Sequence, residues 1–309
     1  MKNDQVSDSI QNLFSNENPI EVWVKAAEII SCINPDYDLS DIRNVFRDTV
    51  DIFNGNYPGY CAIKTPFHDL HHTLDVFLCA VRLLHGMHVS GATLRNSDIT
   101  LVVIASLMHD IGFAQECGTE AGTGARFMQI HVRRGIEFMR HYLEYRGFPP
   151  AWGASLTPMI QTTDLDLQFD QIAFLNERVR LLGQIVSTAD LIGQMADRTY
   201  LEKLLFLYEE FKEANFNGYK SPLELLRQTQ SFYKMVRQRL DVEYDGVYTK
   251  LVFYFKDWFG IERNFYMEAI EKNIAYLSKL ALLDEREHLS MLRRAGIADK
   301  VLVPNRAFA

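Results

Sequence analysis

The chain has 309 residues, of which 48% are hydrophobic and 23% charged. That is ordinary globular composition, with enough apolar residues to bury a core in one large domain or two. A formal net charge of −8 and a pI near 5.6 argue against a broad surface for nucleic-acid backbones, although a local basic pocket remains allowed.

Cys32, Cys61, Cys79 and Cys117 are widely spaced and form no CxxC pair, so a reduced cytosolic protein is expected. The stretch MKNDQVSDSIQNLF is polar and lacks the apolar centre of a signal peptide. The longest apolar runs, such as Leu101 to Met108, are too short to span a bilayer. A cytoplasmic protein with no membrane partner is the reading that follows.

Taken in chain order, the sequence reads as helix after helix. Residues 20–32 carry apolar side chains at helical spacing, as do residues 41–53, where Ile42, Val45, Phe46, Val50 and Phe53 share one side. Asn54 to Gly59 is a break. A helix is predicted from about 68 to 85, and Ser97 or Asp98 can cap another that runs to Met108. The glycine-rich residues 112–124 predict loop or a broken helix. Further helices fit 126–146, 154–163, 175–196, 199–214, 222–240 and 246–258, with a last pair at about 262–280 and 284–295. Strand-like alternation is nearly absent, and no repeat, low-complexity tract or linker marks a boundary. The expectation is one all-α helical domain over residues 1–309, with its chemistry at about 60–215.

That chemistry is carried by Phe67-His68-Asp69-Leu70-His71-His72, by His109-Asp110 and by Asp190. Imidazole and carboxylate together suit zinc, iron, manganese or magnesium. His68 and His72 are four apart and are predicted to share one helix face, with His71 pointing elsewhere. His109 and Asp110 close an apolar helix just before Gly112, where adjacent side chains can converge on one ion. Asp190 lies late in another apolar helix, where a lone carboxylate is costly unless paired or metal-bound. Any one of these residues taken alone is more often a satisfied core group than a ligand. The ordered set argues for a site with His72, His109, Asp110 and Asp190 as ligands and His68 left free as a general acid.

FHDLHHTLDV resembles the YHNxxHxxDV signature of class I cyclic-nucleotide phosphodiesterases, and Leu107-Met108-His109-Asp110 resembles the motif that names the HD-domain superfamily. Ile160 to Asp164, Thr188-Ala189-Asp190-Leu191 and Tyr208-Glu209-Glu210-Phe211 resemble the ATD, AADxS and EEF segments that follow in the phosphodiesterases. The resemblance covers about residues 60–215 in consistent order. It implies an all-α HD-domain, phosphodiesterase-like helical bundle. It also implies hydrolysis of a small phosphorylated molecule, a nucleotide among the candidates, by water activated on one or two divalent ions. His72, His109, Asp110 and Asp190 would hold the first ion, and Asp110 would bridge to a second. His68 would protonate the leaving oxygen and Glu210 would orient it. Thr163 and Asp164 would support the shell behind the ligands. The bland reading of Glu210 is a solvated helix face beside Glu209 and Glu213, and that of Thr163-Asp164 is a helix C-terminal turn.

Several positions depart from the signature. Phe67 and Asp69 replace its Tyr and Asn, Phe113 stands where a second His follows HD, and Gly193 replaces an Asn that contacts the nucleotide. The nearest match to the purine-clamping glutamine is Gln230, with Phe232 or Tyr233, at a shifted spacing. His131 is a candidate replacement in the metal shell, since His131 to Gly135 resembles the HxxxG element of other HD proteins. Arg133 and Arg134 can face a phosphate or form an exposed basic turn. His85, His88, His141 and His288 read as surface or helix-end residues. Two other classes stay open: an HD-type di-iron oxygenase, which needs extra His ligands, and a non-catalytic ligand-binding sensor, which has little use for His68.

Overall fold

The computed structural model describes residues 13, 17–280, 291, 292 and 294–297. Eleven α-helices lie among them: α1 (Pro19–Ile33), α2 (Ser40–Phe53), α3 (Leu70–Val89), α4 (Asn96–Met108), α5 (His131–Tyr145), α6 (Ala151–Gln161), α7 (Glu177–Ala196), α8 (Tyr200–Glu213), α9 (Pro222–Gln238), α10 (Leu251–Phe259) and α11 (Phe265–Leu280). The only strands among the described residues are two-residue segments, β1 (Tyr60–Cys61) and β2 (Gln115–Glu116), paired antiparallel. The fold is all-α, as the periodicity predicts. The helix expected at 284–295 falls mostly outside the described residues.

The centre of the bundle is α3, whose side chains are buried almost without interruption from His72 to Met87. It packs against α7, α1, α10 and α4. A helix apolar on all sides belongs in a core, and Phe77, Leu78 and Leu83 are fully buried there. Gly86 lets the neighbouring chain come close, because a Cβ there would lie 2.0 Å from the Lys250 carbonyl oxygen. The helix starts later than predicted. Asp69 is its N-cap, and its carboxylate accepts a hydrogen bond from the His72 amide at 2.8 Å. His68 therefore precedes the helix and does not share a face of it with His72.

The start of α4 also differs in detail. Asp98 is the third helical residue, and its carboxylate accepts the Arg95 amide at 2.6 Å while also pairing with Arg178 of α7. The paired carboxylate joins α4 to α7, the two helices that supply His109 and Asp190.

Two sequence expectations are corrected. Cys61 and Cys117 pair as a disulfide across β1 and β2, with Cα atoms 5.1 Å apart, so not every cysteine is free. A partner 56 residues away is invisible to local spacing. His85 is not a surface residue: it is 2% exposed, packs edge-on to Tyr254 and Trp258, and lies 3.5 Å from the Asp257 carboxylate. No helix among the described residues is long and apolar enough to cross a membrane.

Candidate metal centre

Four donor atoms from α3, the α4 terminus and α7 meet in the interior. His72 Nε2 lies 3.3 Å from Asp110 Oδ2 and 3.3 Å from Asp190 Oδ1. His109 Nε2 lies 3.2 Å from Asp110 Oδ2, 3.7 Å from Asp190 Oδ1 and 3.2 Å from His72 Nε2. All four residues are buried. Charge-assisted hydrogen bonds would be shorter, at about 2.7–2.9 Å. Donor atoms that share an ion at about 2.1 Å are themselves about 3.0–3.4 Å apart in octahedral or tetrahedral geometry. The separations fit the second case better.

The surrounding hydrogen bonds favour ligation as well. His109 Nδ1 donates to the Ser106 carbonyl at 2.9 Å, one turn back on α4, which leaves Nε2 with a lone pair facing the cluster. Asp110 Oδ2 is buried without a hydrogen-bond donor. Burial acts to lower the His72 imidazole's pKa, but Asp110 and Asp190 outweigh it and push it up to about 10. His109 is raised by the same carboxylates against the same burial. Burial opposes ionisation of Asp110, yet His109, His72 and His68 hold its carboxyl well below the usual carboxylate range. The centre thus attracts positive charge, and the buried His72, His109 and Asp110 could hold a metal ion.

His131 joins the other side of Asp110. Its Nε2 is 3.6 Å from Asp110 Oδ1, while Nδ1 donates to the Met128 carbonyl at 2.5 Å. Burial is the main effect on this imidazole and lowers its pKa, which favours the neutral, ligand-ready form. The approach depends on glycine. A Cβ on Gly112 would sit 1.9 Å from the His131 carbonyl oxygen, so only a residue without a side chain lets the turn after Asp110 seat against the start of α5.

His68 stands beside the cluster. Its Nδ1 is 2.6 Å from Glu210 Oε2, and the other oxygen of Glu210 accepts the Phe67 amide at 2.6 Å and the His68 amide at 3.3 Å. Glu210 is 1% exposed, so it is not on a solvated helix face. The Thr65 hydroxyl donates to the His68 carbonyl at 2.6 Å and fixes the bend before α3. Phe113 stacks on both imidazoles, with ring centroids 4.8 Å from His68 and 4.6 Å from His131, and those two rings lie 6.2 Å from each other. Burial acts to lower the His68 imidazole, and the Glu210 carboxylate outweighs it to give a raised pKa.

The remaining candidates are employed elsewhere. Thr163 donates its hydroxyl to the Ile160 carbonyl at 2.9 Å, and Asp164 accepts the Asp166 amide at 3.0 Å, so both serve the end of α6. Thr162, which the sequence did not single out, bridges α6 to α7 through the Gly183 carbonyl at 3.1 Å. Arg133 is exposed. Arg134 donates to the carbonyls of Gly112 and Ala114 at 2.8 and 2.7 Å and lies over the Phe127 ring, so its guanidinium clamps the turn after Asp110. The Gln230 amide donates to Ser278 of α11 at 2.9 Å.

A second His–carboxylate group was missed. His71 Nδ1 lies 3.7 Å from Asp75 Oδ2 and 4.0 Å from Asp197 Oδ2. The Lys203 ammonium sits among them, 2.5 Å from Asp197 Oδ2 and 2.8 Å from His71 Nδ1. The spacing of His71 and Asp75 on one helix turn was a signal, but the lysine and Asp197 arrive from far along the chain.

A family described as Npun_R2479-like matches residues 117–242. That stretch includes His131, Asp190 and Glu210 and leaves out His68, His72, His109 and Asp110. No curated protein and no solved structure matches the chain.

Proposed function

We propose that this protein is a metal-dependent phosphohydrolase of the HD-domain, phosphodiesterase-like kind, acting on a small phosphate ester. The observation that carries the reading is the meeting of His72, His109, Asp110 and Asp190 in one buried centre with the His68–Glu210 pair beside it. A divalent ion held by those four residues supplies Lewis acidity toward water and toward a phosphoryl oxygen. His68 serves as the general acid: Glu210 takes its Nδ1–H, orients the ring and favours the charged form, so that Nε2–H is available to the leaving oxygen. When that proton is given up, the neutral ring keeps its hydrogen bond to Glu210. His131, beside Asp110 Oδ1, would help hold a second ion. Phe113 packs on the rings of both His68 and His131 and holds them in place.

One observation favours a second reading. His131 adds a third imidazole to the centre, and extra His ligands are what a di-iron oxygenase needs.

Metal analysis of the purified protein, followed by a panel of phosphoesters that includes cyclic nucleotides and dinucleotides, tests the proposal. One or two divalent ions per chain and hydrolysis abolished by chelation are expected. Two irons with an oxygen-dependent reaction would replace the hydrolase by the oxygenase. Tight binding of a phosphoester with no turnover under any metal would make the protein a sensor.

A further inference from the structure

His72 reaches the metal centre through Nε2, and its other ring nitrogen has no hydrogen-bond partner among the described residues. The residue is 4% exposed, and a buried imidazole N–H without an acceptor is costly. His109 and His131 have each solved the same problem with a backbone carbonyl. Next to His72 is a cavity of about 10 Å³ lined by Phe67, His72, Asp75, Gln194, Asp197, Tyr200 and Lys203. That volume is about the space one water centre needs, and a buried water needs two to four polar partners. His72, Asp75, Asp197, Gln194 and Lys203 offer them.

We infer that one buried water in this cavity links His72 Nδ1–H to the Asp75–Asp197–Lys203 group, and that Asp75 acts through it as a positioning residue for the metal centre. The inference rests on the metal reading above. Asp75 lies one helical turn after His72, so its carboxylate and the ring it supports are carried by the same rigid element. The group is not a second metal site, because the Lys203 ammonium already lies between His71 and Asp197. Accepting the Nδ1 proton from that side makes Nε2 a better donor to a cation and fixes the tautomer in which its lone pair faces Asp110 and Asp190.

The test uses the full chain with Co(II) as probe. Affinity is measured by chelator competition, the visible Co(II) band is recorded, and thermal melting is followed in parallel. Asp75→Asn is expected to weaken Co(II) binding by about 10–100-fold and to shift the band, with melting of the metal-free protein little changed. A crystal structure of the unsubstituted protein is expected to show an ordered water within hydrogen-bond distance of His72 Nδ1 and of an Asp75 or Asp197 oxygen, a result that does not depend on the variant folding. Unchanged affinity and spectrum in a folded Asp75→Asn protein, or a cavity without water in that crystal structure, overturns the inference while leaving the metal centre intact. Failure of the unsubstituted protein to bind Co(II) overturns the metal reading and this inference with it.

Discussion

His71 and His72 are neighbours in sequence, and each leads into a cluster of buried carboxylates. Around His71 stand the carboxylates of Asp75 and Asp197, and the ammonium of Lys203 pairs with Asp197 and with the His71 ring. Around His72 the carboxylates of Asp110 and Asp190 face two imidazoles, and no lysine or arginine is paired with them among the described residues. The residue types are nearly the same, so a count of histidines and aspartates cannot tell a metal centre from an ion-pair cluster. What separates them is whether the chain brings its own cation. A fixed ammonium completes the first cluster, whereas the second remains a concentration of negative charge and lone pairs suited to a divalent ion.

The comparison breaks most directly at Asp110, which touches both imidazoles of the centre and His131. Asp110→Ala is expected to lose bound metal and all hydrolysis, by metal analysis and by the phosphoester panel. Normal metal content in that variant would mean that the centre lies elsewhere. His68→Ala separates chemistry from binding. Because His68 is held by Glu210 and not by the ligand carboxylates, the variant should keep its metal and its fold. It should turn over phosphoesters slower by roughly 10²–10⁴-fold, the usual range for a lost general acid. The loss should shrink for aryl phosphate esters, whose leaving groups need little protonation. Metal loss in His68→Ala would make that residue a ligand.

Lys203→Met tests the other cluster. Removing one partner of a buried ion pair leaves the remaining charge uncompensated, typically at a cost of about 3–5 kcal/mol. Asp197 is buried, which raises its pKa, and Lys203 outweighs this to hold it below the ordinary value. A lowered carboxylate stabilises the fold above its unfolded pKa of about 3.9, and that contribution is lost as pH falls through the lower folded value. The melting difference between the native chain and Lys203→Met should therefore be largest near neutral pH and shrink in acid. A difference independent of pH would show that lost packing, and not charge, dominates.

The helices were legible because a 3.6-residue period is written in the sequence wherever one face is buried. That His72, His109-Asp110 and Asp190 would meet was legible because they stand in a recognisable order, and a carboxylate deep in an apolar helix needs a reason. What a side chain meets across the bundle was not legible. Arg134, which in the sequence can face a phosphate or form an exposed basic turn, instead clamps Gly112 and Ala114 with its guanidinium. Gln230, the nearest match to the purine-clamping glutamine at a shifted spacing, gives its amide to Ser278. His85 finds Asp257, Tyr254 and Trp258, and Cys61 finds Cys117, from far along the chain. Lys203, the residue that distinguishes the two clusters, carries no local signal at all.

The smallest expected effect concerns how far the metal region extends. Where the resemblance places a second His after His109-Asp110, this chain has Phe113, which cannot ligate. His131 comes from a different element, the first turn of α5, and reaches Asp110 Oδ1, the oxygen turned away from His72 and His109. Its Nδ1 is tied to Met128, so the nitrogen facing Asp110 carries the lone pair. The Phe113 ring instead stacks on His131 with an interplanar angle of 12°. If His131 replaces the missing ligand, His131→Ala should lower the metal stoichiometry from about two toward one, with the first ion retained, following two-metal logic. Phe113→Leu, which keeps all ligands but loses the stack, should weaken the second ion without removing the first. Unchanged stoichiometry in His131→Ala would confine the centre to His72, His109, Asp110 and Asp190 and leave His131 as a neighbour held by packing.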